Sequence, residues 1–284
     1  MYDLTFISST GNKIALNYKN GIIIKTVEGA TGLSVDLQTA QGYQQVGNSV
    51  SSQTVSGRDL TISGFIFKEN KDKKLALQKA FAPFVSGQLF WENKYFMDVY
   101  VKDAPTISQN KHSDFMFRLY AGFPFWKAKN QTNKTNGTVM KEFRFPVNYA
   151  TPHRYGTKDA SNEYNVQNIG EVESPIDVTI SAKEQVVNPQ VIDLDTGKFL
   201  RFNVTLERGE EIRLTQSNGR IQVSIIRVDG SEENAFKILD DDSSLFSVSA
   251  GDNRLTSIAE EGENNMTTLI SFYPLYTGVL MNGV

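Results

Sequence analysis

Short runs with an apolar residue at every second position recur along the chain, each closed by Gly, Asn, Asp or Pro. A side-chain period of two is the mark of a strand with one buried face, and the closing residues are those that tight turns need. The pattern predicts strands at 60–67, 95–101, 115–121, 176–182, 199–206 and 266–272. Asn20-Gly21, ahead of Ile22, Ile23 and Ile24, reads as a hairpin turn with positive φ at both centres. Asp229-Gly230, after the alternating run 221–228, reads the same way.

One segment breaks the period. Leu77, Ala80, Phe81 and Phe84 fall at i, i+3, i+4 and i+7, which puts them on one face of a helix. Asn70 is placed to cap its start, and Pro83, lacking an N–H, ends it near Ala82. A single amphipathic helix in a β domain is read as a plug over one open face of a sheet or barrel.

Two polar stretches organise the rest. Residues 38–57 are rich in Gln, Ser, Thr, Val and Gly, with no charge before Arg58. Such a stretch suits either an extended arm that pairs with another chain or a loose surface hairpin, and composition leaves both open. Residues 127–137, after Phe123-Pro124-Phe125-Trp126, have few apolar anchors and read as a linker. A length of 284 residues suggests two domains, at roughly 100–200 residues each. The expected division is a first domain at 1–128, a linker at 129–145 and a second domain at 146–284.

Catalytic constellations are not assembled by the sequence. There is no Cys, so thiolate metal sites, cysteine nucleophiles and disulfides are excluded. His112 and His153 stand apart in loop-like sequence, and neither neighbourhood offers a strained, Gly-flanked Ser. Asp240, Asp241, Asp242, Glu260, Glu261 and Glu263 lie between strands and are expected in solvated loops. The run Asp193 to Gly197 lacks most ligands of a calcium loop and reads as a turn between strands. Neither cofactor nor metal is expected, and the chain is read as no enzyme. A net charge of −3 gives no basic footprint for nucleic acid or an anionic membrane. Without a signal-like N-terminus, or an apolar run near the ~18 residues of a span, a soluble protein made in the cytoplasm is expected.

The order of short motifs resembles the distal tail protein (Dit) family of siphophages. In the first half the motifs are Ser56-Gly57-Arg58-Asp59-Leu60-Thr61-Ile62-Ser63-Gly64, then the helix, then 84–89, then Ala121-Gly122-Phe123-Pro124-Phe125-Trp126. The second half follows with Gly170 to Pro175, Asn188 to Gly197, Gly209-Glu210-Glu211-Ile212, the run 241–253 and Tyr276-Thr277-Gly278-Val279. The resemblance implies a mainly β protein. Its first domain would be a tail-tube-like split β-barrel with one α-helix and a projecting belt arm, and its second a galectin-like β-sandwich. It further implies a structural virion protein, a hexameric ring at the phage tail tip or baseplate, made in the host cytoplasm. Its partners would be the tail tube, the tail-tip protein and a receptor-binding protein. The subunit surface is expected at Gln38, Gln41, Tyr43, Gln44, Val46, Val50, Gln53, Val55 and Arg58. Phe81, Phe84, Phe90 and Trp91 are expected to form one aromatic cluster beneath it.

A carbohydrate-binding module or adhesin, acting in host attachment, is the rival reading. Both tryptophans, Trp91 and Trp126, lie in the first half, so the second half is expected to have feeble saccharide affinity at most. A tail-tip endopeptidase or glycosidase is a third class, and it lacks a catalytic set.

Overall fold

The computed structural model describes residues 2–67, 71–109, 113–136, 139–140, 157–158, 163–217 and 220–280. The expected cap Asn70, both histidines and part of the expected linker lie outside these residues. The protein is mainly β with one α-helix, and it forms two compact units. One joins Met1–Asn130 to Leu275–Val284, and the other is Gln131–Pro274. The chain end, which the sequence reading placed with the second domain, therefore returns to the first unit.

In the first unit the strands are β1 (Leu4–Ser8), β2 (Lys13–Leu16), β3 (Ile22–Glu28), β4 (Val35–Ala40), β5 (Ser49–Val55) and β6 (Arg58–Ile66). The helix α1 (Lys71–Ala80) follows, then β7 (Ser86–Trp91), β8 (Tyr95–Ile107), β9 (Ser113–Ala121) and β10 (Trp126–Ala128). The main sheet runs β2-β1-β7-β8-β9-β6-β3 and is antiparallel throughout. Strand β10 pairs with β8 on one side and with the returning Leu275–Tyr276 on the other. Alternation decides the buried face: Leu60, Ile62 and Ile66 on β6 and Phe115, Phe117 and Leu119 on β9 point into the core. Each such side chain contributes about 1.5–3 kcal/mol on leaving water.

The helix covers that face as the spacing predicts, with Leu77, Ala80 and Phe81 buried. Phe81 stacks between Phe6, at 4.5 Å between centroids, and Phe117, at 4.2 Å. Phe84 does not join them. The chain turns after Pro83, and Phe84 sits fully exposed at φ 67°. Nor do Phe90 and Trp91 share a cluster, because successive strand residues face opposite sides. Phe90 meets Phe96, while Trp91 turns inward between Tyr2 and Trp126.

The Asn20-Gly21 hairpin is also absent. Residues Tyr18–Asn20 form one turn of 3₁₀ helix, closed by Gly21 at φ 70°. The Asn17 side chain accepts from the Asn20 N–H and holds this turn. Strands β2 and β3 accordingly pair with β1 and β6, not with each other.

The second unit contains two larger antiparallel sheets. The first runs, in spatial order, Thr132–Thr135, Met266–Phe272, Asp177–Ala182, Glu211–Ser217, Arg220–Ile226 and Glu232–Asn234. The second orders Glu163–Asn168, Gly251–Ile258, Gln190–Asp193 and Phe199–Arg201. Ile180, Leu214 and Ile270 from the first sheet and Val166, Val191 and Leu255 from the second belong to one core. The Asp229-Gly230 segment closes a hairpin, but with positive φ at Gly230 alone (84°) and not at both centres as expected; Asp229 instead accepts from the Ser231 N–H and hydroxyl. Asp193 to Gly197 likewise turns the chain between paired strands.

Thr132–Thr135 lies inside the stretch that composition assigns to a linker. It is an edge strand, so its side chains need no apolar alternation, and its backbone ladder to Met266–Phe272 holds it. Beyond it the buried Asn136 donates its N–H to the Thr268 carbonyl at 3.0 Å and accepts from the Thr268 N–H at 2.8 Å.

Candidate functional site

Strands β4 and β5 pair with each other and with no other strand among the described residues. Their ladder runs from Val35 opposite Val55 to Ala40 opposite Ser49, so the uncharged stretch is a hairpin. Every residue of both strands and of the tip between them is exposed. Tyr43 and Val46, at the tip, are 95% and 100% exposed, and Leu37 on β4 is 55% exposed.

The register shifts between Gln38 and Thr39, where Gln38 faces Ser52 but Thr39 faces Val50. Ser51 is thus an extra residue, a bulge, and it changes which face Val50 occupies. Without the shift, strict alternation would put Val50 opposite in sense to Gln53 and Val55. With it, Val35, Leu37, Val50 and Val55 share one face of the hairpin with Thr39 and Gln53. Asp36, Gln38, Ser52 and Thr54 take the other. A free two-stranded ribbon with an uncovered apolar face is marginal in water by itself.

The base is built firmly. Arg58, the first residue of β6, is only 5% exposed. Its guanidinium donates to the carbonyls of Gly29 at 3.0 Å, Ala30 at 2.8 Å and Thr277 at 2.5 Å. The Ala30 carbonyl also accepts from the Trp126 indole N–H and from the Val279 N–H, which ties the returning chain end to the hairpin's root. Burial pushes the Arg58 pKa below the ordinary arginine value, and among the described residues it makes no ion pair. The Ser56 hydroxyl donates to Asp36, and the Ser56 N–H donates to the Ser34 carbonyl, closing the neck. Gly57 lies directly under the Tyr120 hydroxyl, where a Cβ would collide.

The residues singled out in the sequence divide accordingly. Gln38, Val50, Gln53 and Val55 are on the ladder, and Gln41, Tyr43, Gln44 and Val46 form the exposed tip, Gln44 at φ 60°. Arg58 is different: its side chain is turned inward and spent on carbonyls, so it anchors the arm and offers nothing outward. Val35 and Leu37 belong to the apolar face although the sequence reading started the arm at Gln38. Their period-two spacing with Thr39 was the available signal, masked by the charge of Asp36. Unit one also exposes Phe84, Tyr100 and Tyr120, the last two directly paired across β8 and β9.

The acidic runs are solvated loops. Asp240 accepts from the Asn203 side chain and the Asp242 N–H, which hold it below the usual carboxylate range. Glu260 accepts from Asn188 at 2.8 Å. Asp195 pairs with Arg254, whose N–H and guanidinium lower its pKa in the same way. Among the described residues, no group of three or more His, Asp or Glu could hold a metal ion. No described helix is long and apolar enough to cross a membrane.

Comparison with known proteins supports the resemblance in two ways. Residues 169–276 match the family described as Siphovirus-type tail component, C-terminal domain. No curated protein matches the chain. Among solved structures it is similar to the Dit protein of SPP1, described as a paradigm of hub adsorption apparatus in Gram-positive infecting phages. That match has a TM-score of 0.67 at 9% identity, covering 96% of this chain and 98% of that one. A chain of the phage P2 baseplate in its activated conformation with Ca gives 0.54 at 13% identity, covering 98% and 99%. The same baseplate with Sr gives 0.51 at 13%, covering 98% and 100%. At these identities the solved structures speak for the fold, and the family match speaks for residues 169–276.

Proposed function

We propose that this chain is a siphophage distal tail protein, a structural hub of the virion tail tip, a reading supported by the family match of residues 169–276 and by the fold. It works by holding other proteins rather than by catalysis. The hairpin of β4 and β5 reaches an adjacent copy and lays its apolar face there, and head-to-tail contacts of this kind close into a hexameric ring when the rotation allows. The ring joins the tail tube to the tail-tip protein, and the second unit serves as a mount for a receptor-binding protein.

The observation that carries this reading is the exposed face of Val35, Leu37, Val50 and Val55 on a hairpin that, among the described residues, pairs only with itself. Among the described residues no strand covers that face, and an edge left bare invites pairing with another chain. The fixed root at Arg58 lets the arm project without disturbing the sheet. Burying uncharged residues also avoids the cost of desolvating unpaired charges at a subunit contact.

Native mass spectrometry of the full chain, alone and with the tail tube and tail-tip proteins of the same phage, tests the proposal. A discrete hexamer is expected, at least with the partners present. A monomer under every one of these conditions would overturn it.

A further inference from the structure

The outer face of the second unit's larger sheet carries an open cleft of about 440 Å³. Its polar lining comes from neighbouring strands: Arg213 on Glu211–Ser217, Gln222 and Ser224 on Arg220–Ile226, and Glu232 and Asn234 on Glu232–Asn234. The pairing places Arg213, Ser224 and Asn234 in one row across the sheet, with Gln222 one row further along. Phe236, half exposed on the following 3₁₀ turn, closes one side with an aromatic ring.

From this array we infer a binding site for a neutral saccharide of one or two rings. Charge narrows the class. The lining holds one cation, Arg213, and one anion, Glu232, so its charges cancel. Arg213 is further tied to Glu211 through a 2.7 Å hydrogen bond, which weakens its pull on an anion. A ligand with its own formal charge thus gains little.

Hydrogen-bonding capacity narrows it again. The Ser224 hydroxyl donates to one Glu232 oxygen at 2.7 Å, leaving the other oxygen to accept. The Phe236 N–H donates to the Asn234 side-chain oxygen at 3.1 Å, leaving that residue's amide N–H₂ to donate. Among the described residues the Gln222 side chain has no hydrogen bond, so it presents both a donor and an acceptor. Adjacent hydroxyls, each a donor and an acceptor at once, match this mixture better than an amine, a phosphate or a carboxylate does. The Phe236 ring supplies the apolar surface on which the C–H face of a sugar ring rests. Its volume lies within the range of small-molecule sites, and its openness to solvent fits weak, millimolar affinity.

Ring assembly and sugar binding use different residues, so either can fail without the other. Saturation-transfer NMR on the full chain tests the site, with the methyl glycosides of glucose, galactose, N-acetylglucosamine and rhamnose as probes and methyl glucuronide as the anionic control. Transfer to at least one neutral glycoside is expected, weakened roughly ten-fold by F236A and by E232Q. Gln222→Ala should weaken it as well, and it removes no side-chain hydrogen bond among the described residues, so it serves if either other variant misfolds. Asp241→Ala, in an exposed loop, should leave it unchanged. No transfer from any probe, transfer indifferent to all three cleft variants, or preference for the glucuronide would each overturn the proposal.

Discussion

Two hairpins in this protein obey the same local rules and end in opposite environments. In the second unit, Glu211–Ser217 and Arg220–Ile226 pair over their full lengths, and Ile212, Leu214, Val223 and Ile225 on one face are buried in the core. In the first unit, β4 and β5 pair over a similar length, gather Val35, Leu37, Val50 and Val55 on one face, and bury none of them. Pairing and turn chemistry make a ribbon in both places, but only burial makes it stable. One ribbon finds its cover within the chain. The other is covered by none of the described residues, and in the proposed reading an adjacent copy covers it.

Substitution should break the symmetry between the two. Leu214→Ala removes a fully buried side chain and is expected to cost about 2–5 kcal/mol in urea unfolding of the full chain. A cost under about 1 kcal/mol would mean the second core is loosely packed. Arg58→Ala, at the root of the exposed ribbon, removes three hydrogen bonds to carbonyls, although Ala30 keeps its Trp126 and Val279 donors, and should cost roughly 2–3 kcal/mol in the same measurement. Unchanged stability would show that the anchor is ornamental. Leu37→Ala, halfway along the exposed face, should shift stability of the separated chain by less than about 0.5 kcal/mol. Its effect should appear in assembly instead, as a lower yield of hexamer.

A smaller effect concerns acid. Asp195 and Glu210, both in the second unit, are held below the usual carboxylate range. Arg254 groups do this for Asp195, and the Glu207 N–H, followed by Arg227, does it for Glu210. A carboxylate whose folded pKa is lowered stabilises above its unfolded value, and that stability is lost as pH falls through the folded one. Thermal midpoints should therefore be level near neutrality and decline below about pH 4. Asp195→Asn should flatten that decline, and an unaltered profile would remove Asp195 from the account.

Much of the fold was legible because burial is regular where a sheet covers a core. The runs that became β6, β9 and Met266–Phe272 carried clean alternation, and the helix carried its 3.6 period as far as Phe81. Legibility failed where local signals were outvoted. Asn20-Gly21 has hairpin chemistry, yet the partners of β2 and β3 lie elsewhere in the sheet, so the turn became helical. Thr132–Thr135 and the returning Leu275–Tyr276 are held by backbone ladders, which leave little trace in side-chain pattern. At the arm, missing charge gave the location. The bulge at Ser51 that aligns its apolar face, and the inward turn of Arg58, are properties of register and packing that composition does not encode. The polar cleft beside Phe236 was hidden for a similar reason: its residues join only when the strands pair.

The central claim is that the exposed ribbon is the assembly element, and shortening it tests this most directly. Residues 41–54 would be replaced by a short Gly-Ser bridge, which removes the tip and nearly all of β5 while leaving Arg58 in place. Native mass spectrometry of the shortened and intact chains would then be compared, each mixed with the tail tube and tail-tip proteins. The account predicts a hexamer for the intact chain and a folded monomer for the shortened one. Hexamers of equal abundance from both would contradict it, and would make the hairpin a surface loop.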